Sequence, residues 1–201
     1  SFWSSDDSAV AVASGRAGNV IGGGDWALDR IIPDCIRAVA AERPIPVRNK
    51  TATRPWQHVL EPLSGYLWLG AVLSSPQLAG HSTSEPFTGG FNFGPALASN
   101  RTVAELVIEL TRHTGGTWED QADPGALHEA SKLNLAIDKA FHLLQWSPVW
   151  DFEKTVAATA GWYMNAVDSE AAAALTQQQI SAYEADATTS RVKWASPITG
   201  V

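Results

Sequence analysis

An α/β architecture follows from two features of the sequence. Short apolar runs of strand length alternate with segments whose apolar residues recur at helical spacing, and Gly, Pro, Ser and Thr clusters separate them. The strand-like runs are few, so only the last one or two parallel strands of a doubly wound sheet are expected. No internal repeat is present.

Val10-Ala11-Val12-Ala13 reads as a short buried parallel strand, followed by a glycine-rich loop to Trp26. From Arg30 to Ala41 the apolar positions Ile32, Cys35, Ile36, Val39 and Ala40 have helical spacing. Pro33 is tolerated there because the first turn lacks N–H partners anyway. Pro44-Ile45-Pro46-Val47-Arg48 is extended, at a sheet edge or a ligand wall, because each proline disfavours helix in the residue before it. Glu61-Pro62 opens a helix with the stripe Leu63, Tyr66, Leu67, Gly70, Ala71 and Leu73, stopped by Ser74-Ser75-Pro76. Residues 76–90 form a polar loop, and Phe91-Asn92-Phe93 a brief strand. Thr102 and Glu105 carry a capping-box signature for a helix through Val103, Leu106, Val107 and Leu110, ended at Gly115-Gly116. Helices are further expected over 137–144, over 152–166 and beyond Ser169, the last with no chemistry in it.

Composition excludes several classes. With 45% hydrophobic and 17% charged residues the chain is an ordinary globular one. A net charge of −7 speaks against nucleic acid or an acidic membrane as partner, since both are held by broad basic surfaces. An anionic ligand would instead need a local arginine cluster. The single cysteine, Cys35, packs as a small apolar group, which suits a reducing, cytoplasmic setting. No apolar run approaches the length of a membrane span. Most of the nine tryptophans are expected to serve the core.

Gly22-Gly23-Gly24-Asp25-Trp26-Ala27 can be laid on a dinucleotide fingerprint, but no helix starts at its third small residue, so it reads as a loop beside a ligand. Arg48 and Arg54 are stronger candidates, because a guanidinium presents forked donors that match phosphate oxygens; surface ion pairing is their alternative. The five histidines show no metal-ligand spacing, and no metal is expected.

Three blocks in order, residues 16–26, Arg54-Pro55-Trp56-Gln57-His58-Val59 and Phe91-Asn92-Phe93-Gly94-Pro95, resemble the sugar-nucleotide-binding half of an extended short-chain dehydrogenase/reductase. Residues 16–26 and Leu127-His128-Glu129-Ala130 favour the branch of 4,6-dehydratases that act on CDP-glucose over the epimerases. The family's Gly-x-x-Gly-x-x-Gly fingerprint and Tyr-x-x-x-Lys pair are absent: none of Tyr66, Tyr163 and Tyr183 has a lysine four residues on. The resemblance therefore implies the C-terminal part of a Rossmann-type fold with a small substrate-binding subdomain, residues 1–187, followed by an unmatched tail at 188–201.

It also implies roles. Asn19 would offer its amide to the substrate phosphates or sugar. Arg30 and Ile31 would line the base with backbone groups. Arg54 would clamp the diphosphate, Pro46 would belong to the ligand wall, and Arg48 would cover the base. Asn92 and His128 would lie near the diphosphate, and Ala17 and Gly18 beside an NAD cofactor bound mainly by residues outside the 201. The implied partner is a nucleotide sugar, with a homo-oligomer open for a full-length enzyme. A non-catalytic nucleotide-sugar-binding fragment and a tryptophan-rich carbohydrate-binding module are the rivals. Gln145 stands where the family has a helix-ending glycine, and Ala136 where it has an aspartate.

Overall fold

The computed structural model describes residues 10–122 and 134–196. His128 and the block around it lie outside them. Strands β1 (Ala13–Ala17) and β5 (Gly89–Phe93) pair in parallel. Strand β2 (Asn19–Ile21) runs parallel to β4 (Thr53–His58), whose other edge takes β6 (Asn100–Thr102) antiparallel. Strands β3 (Ile45–Val47) and β7 (Trp118–Asp120) form a third, parallel pair.

Helix α1 (Ile31–Ala40) starts and stops close to its predicted ends and buries Ile32, Pro33, Cys35, Ile36 and Ala38. Burial pushes the Cys35 thiol up to about 12, so the sulfur stays protonated. Helix α3 (Val103–Thr114) begins with the predicted capping box: Glu105 N–H donates to Thr102 Oγ1, and Thr102 N–H donates to Glu105 Oε2. Together with α5 (Phe152–Asn165), these helices cover one apolar core that includes Ile21, Ile45, Val47 and Trp56 of the strands.

A second core joins helix α2 (Leu60–Ser74) and helix α4 (Asp138–Leu144) to β5, with Phe87, Phe91, Phe93 and Trp146 at its centre. Here the predicted stripe of α2 is inverted. Leu63, Tyr66 and Leu67 are exposed, whereas Glu61, Pro62, Ser64, Gly65, Trp68, Leu69 and Val72 are buried. The helix is apolar on both sides, so periodicity alone does not choose a face. The choice is made by Gly65, against which the Phe93 ring lies too closely for any Cβ, and by polar groups on the same side.

Glu61 is fully buried and accepts from Trp150 N–H at 2.6 Å, from Val149 N–H at 3.1 Å and from Tyr183 O–H at 2.8 Å. Burial raises its carboxyl to about 7, against the pull of these donors. One strand earlier in the chain, His58 is also buried and is pushed down to about 4 by desolvation. Its Nδ1 accepts from Leu60 N–H at the start of α2.

Helix α6 (Ser169–Thr189) runs through the predicted boundary at 187/188. It docks through Tyr183 on Glu61 and through Asp186, which accepts from Trp150 Nε1 at 2.7 Å and pairs with Lys154. Trp194, in the expected tail, stacks on Tyr183 at 5.6 Å. Trp56, Trp68, Trp146 and Trp150 are buried, and each indole N–H has an acceptor.

Three further expectations are corrected. The first strand is Ala13–Ala17 rather than 10–13, and Val10 and Val12 are exposed, because β5 is its sole neighbouring strand among the described residues. β2, β4, β6 and β7 were not foreseen. The loop 76–90 contains two 3-10 turns, Pro76–Ala79 and Glu85–Phe87, which carry Ala79 and Phe87 into the second core.

Candidate functional site

A cleft of about 800 Å³ opens where β1 ends and β2 begins. Its walls are Ala17 and Gly18, the strand Asn19–Ile21, the loop 22–29, the first turn of α1, and Arg54, Pro55 and Trp56 of β4. Val103, Leu135 and Tyr163 close it. The parallel register Asn19 to Trp56 sets Asn19 beside the Arg54-Pro55-Trp56 segment, and the antiparallel register Arg54 to Arg101 extends that segment to β6. Arg54 is half-buried and its Nη1 donates to Thr53 O at 3.0 Å.

The helix end in this cleft is open. Arg30 occupies the N-cap of α1 in an extended conformation, and its side chain makes no capping bond. The first-turn backbone of Ile31 and Ile32 therefore keeps its positive end toward the cleft, as an anion site requires. Two arginines, Arg30 and Arg54, and two aspartates, Asp25 and Asp29, share the lining. Asp25 is partly engaged, since its Oδ1 accepts from Ala27 N–H at 2.9 Å.

Six of the ten residues singled out from the sequence thus meet in one place: Ala17, Gly18, Asn19, Arg30, Ile31 and Arg54. Pro46 and Arg48 are exposed at the β3–β7 pair and do not line the cleft. Asn92 lies on β5, where its Nδ2 donates to Ala136 O at 2.9 Å, tying β5 to the segment before α4. His128 lies outside the described residues.

Tyr163 belongs to the cleft and was not foreseen. Its hydroxyl donates to Asp25 O, and burial beside Asp25 pushes its proton affinity up to about 12, so it remains a donor. The sequence signal was the aromatic pair Trp162-Tyr163 one turn from the end of α5. Among the described residues no group of three or more His, Cys, Asp or Glu side chains comes together as for a metal ion. No described helix is long and apolar enough to cross a membrane.

No family model matches the chain. It is similar to CDP-glucose 4,6-dehydratase of Salmonella typhimurium, at 37% identity over 179 residues that cover 87% of this chain and 47% of the relative. The chain therefore spans about half the length of the curated relative it matches. Among solved structures it resembles UDP-glucuronic acid 4-epimerase from Bacillus cereus in complex with UDP-glucuronic acid and NAD. There the TM-score is 0.62 at 16% identity, over 79% of this chain and 46% of that one. It also resembles dTDP-glucose 4,6-dehydratase from Bacillus anthracis in complex with NAD, with a TM-score of 0.58 at 19% identity, over 76% of this chain and 44% of that one. The fold is thus the Rossmann-type α/β one of these enzymes, and the chain belongs to the extended short-chain dehydrogenase/reductase family of sugar-nucleotide dehydratases and epimerases.

Proposed function

We propose that the cleft binds a nucleoside diphosphate sugar, and that the chain supplies substrate binding to a 4,6-dehydratase acting on CDP-glucose. The observation that carries this reading is the convergence of Arg54, Asn19 and the uncapped N-terminus of α1 on one cleft. Two phosphates need forked or backbone donors, and a sugar needs amides. Similarity to CDP-glucose 4,6-dehydratase supports the choice of cytidine.

In this reading Arg54 neutralises and orients the diphosphate, Asn19 donates its amide to it or to the sugar, and the backbone at Arg30 and Ile31 borders the base. Ala17 and Gly18, which with Gly22 and Gly23 are the smallest residues of the lining, fit a flat cofactor ring approaching the backbone. When bound, NAD would supply the reversible hydride exchange on which a dehydration of this kind depends. The chain's own residues hold the substrate still and keep its charge compensated.

Isothermal titration with CDP-glucose tests the reading. Binding competed by free CDP is expected, and Arg54→Ala should weaken it by about 1.5–3 kcal/mol, the range for a hydrogen bond to a charged group. An unchanged dissociation constant would remove Arg54 from the clamp, and no binding at all would remove the nucleotide sugar. A second reading, a non-catalytic nucleotide-sugar-binding chain, is favoured by the absence of a Tyr-x-x-x-Lys pair from the 201 residues. The purified chain with NAD and CDP-glucose should accordingly leave the 4-keto product at background.

A further inference from the structure

The loop 22–29 forms one wall of the cleft, and its backbone is held both by Tyr163, which lines the cleft, and by Arg37, which does not. Three consecutive carbonyls, of Asp25, Trp26 and Ala27, accept from side chains of two different helices. Tyr163 O–H of α5 donates to Asp25 O, and Arg37 Nη2 of α1 donates to Trp26 O and, at 3.2 Å, to Ala27 O. Arg37 is itself aimed by Asp34, with Nη1 to Oδ1 at 2.6 Å. The aromatic side chains complete the hold. Trp26 meets Tyr163 edge to face at 5.1 Å, Tyr163 meets Trp162 at 5.4 Å, and Trp162 lies so close over Gly23 that no other residue fits there.

A loop with glycines at 22, 23 and 24, exposed from Gly24 to Asp29, needs contacts from other elements to fix it. Its conformation in the structure includes Asp29 at φ +58°, a left-handed value that an aspartate adopts at some cost. Something must select that conformation, and the side chains that reach its carbonyls are Tyr163 and Arg37. Neither bond involves a ligand, and Arg37 does not line the cleft.

We infer that Arg37 and Tyr163 are positioning residues: they clamp the loop 22–29 in a binding-competent shape before the nucleotide sugar arrives. The clamp acts through the population of the competent wall, and this part rests on the nucleotide-sugar reading above. If the clamped form is only a fraction of the molecules, the apparent affinity falls by that fraction. The loss then lies in the association rate, whereas loss of a direct ligand contact lies in the dissociation rate.

Two measurements on the full chain test this. Without ligand, chymotryptic cleavage after Trp26 and Leu28, read by mass spectrometry, follows the open population of the loop. Tyr163→Phe keeps the ring on Trp26 and removes one bond, and Arg37→Gln removes the other two. Tyr163→Phe should speed this cleavage about three- to tenfold, as expected for one lost hydrogen bond, Arg37→Gln at least as much, and the double variant more. Cleavage elsewhere serves as the control for global unfolding. Unchanged loop cleavage in the double variant, with the fold intact, would overturn the clamp.

With CDP-glucose as probe in stopped flow, both single variants should bind with a lower association rate and an unchanged dissociation rate. A faster dissociation at unchanged association would overturn positioning in favour of direct contact. If the parent chain binds no CDP-glucose, the ligand reading falls and the cleavage rates alone decide the clamp.

Discussion

Replacing Glu61 by Gln should tilt a pH profile that is level in the parent chain. Two buried groups of opposite character, His58 at the end of β4 and Glu61 in the first turn of α2, lie three residues apart. Burial raises the Glu61 carboxyl from 4.5 to about 7, so the folded state takes up its proton more readily than the unfolded state. Its contribution is fully present below pH 4.5 and is lost as pH rises through 7. Burial lowers the His58 imidazole from 6.5 to about 4. Its contribution is present above pH 6.5 and is lost as pH falls through 4.

Each shift corresponds to about 3 kcal/mol at full extent, or a slope of about 1.4 kcal/mol per pH unit while only one of the two states titrates. Between pH 4.5 and 6.5 the slopes have opposite signs and cancel. In Glu61→Gln the carboxyl is gone but the packing is kept: the amide oxygen can accept from the 149 and 150 backbone, and its NH₂ can donate to the Tyr183 oxygen. The His58 slope is then uncovered, and stability should fall by about 1.4 kcal/mol for each pH unit lowered from 6.5 to 4.5.

Urea unfolding of dilute protein at half-unit pH steps measures this. The window ends at 4.5 because Asp186, held below the usual carboxylate range by Lys154 and Trp150, loses its own contribution at lower pH. Parallel profiles for the parent and Glu61→Gln would refute the reasoning, and His58→Gln should tilt the other way.

Two further outcomes follow from the backbone. Gln145 ends α4 in the left-handed region at φ +52°, ψ +34°, and its side chain is exposed, so Gln145→Gly should raise stability by about 1 kcal/mol in the same unfolding assay. A lower stability for the glycine variant would show that the side chain matters more than the strain. Residues 1–201 expressed alone should self-associate through β1, which has Val10 and Val12 exposed beside it and pairs on one side only with β5 among the described residues. Sedimentation should show concentration-dependent mass that Val12→Lys reduces; a monomer throughout would remove the edge as an association site.

The helices α1, α3 and α5 were legible because each carries one apolar face and, for α3, a capping box written in the sequence. Strand β4 was not. It is buried over Pro55, Trp56, Gln57 and His58, so polar residues face inward and no alternation marks them. Gln57 is accommodated by donating to Phe93 O at 3.0 Å, a partner 36 residues away that no local window contains. The inverted face of α2 has the same origin, since Glu61 and Ser64 are core residues solely because of Tyr183, Trp146 and the 149–150 backbone. The alanine- and glutamine-rich composition of the last helix gave no sign of the buried contact between Tyr183 and Glu61. Most of the candidate site was legible through likeness to a family rather than through periodicity. Arg54 and Asn19 line one cleft, whereas Pro46 and Arg48 lie outside it, at the pairing of β3 with β7.

The acidity of the chain, −7 overall, disfavours an anionic ligand at long range. The local arrangement reverses that bias. In the loop 22–29 three backbone carbonyls are already occupied by Tyr163 and Arg37, and Asp25 Oδ1 is occupied by Ala27 N–H. The cleft lining also holds donors, the Asn19 amide, the guanidinium groups of Arg30 and Arg54 and the backbone N–H groups at the start of α1, beside the carboxylates of Asp25 and Asp29. An anion there meets the short-range field of those donors, while the distant carboxylates on the surface are screened beyond about 8–10 Å in physiological salt. A net charge of −7 speaks against partners that need a broad basic face, and it is compatible with the proposed compact diphosphate in a cleft where these donors gather.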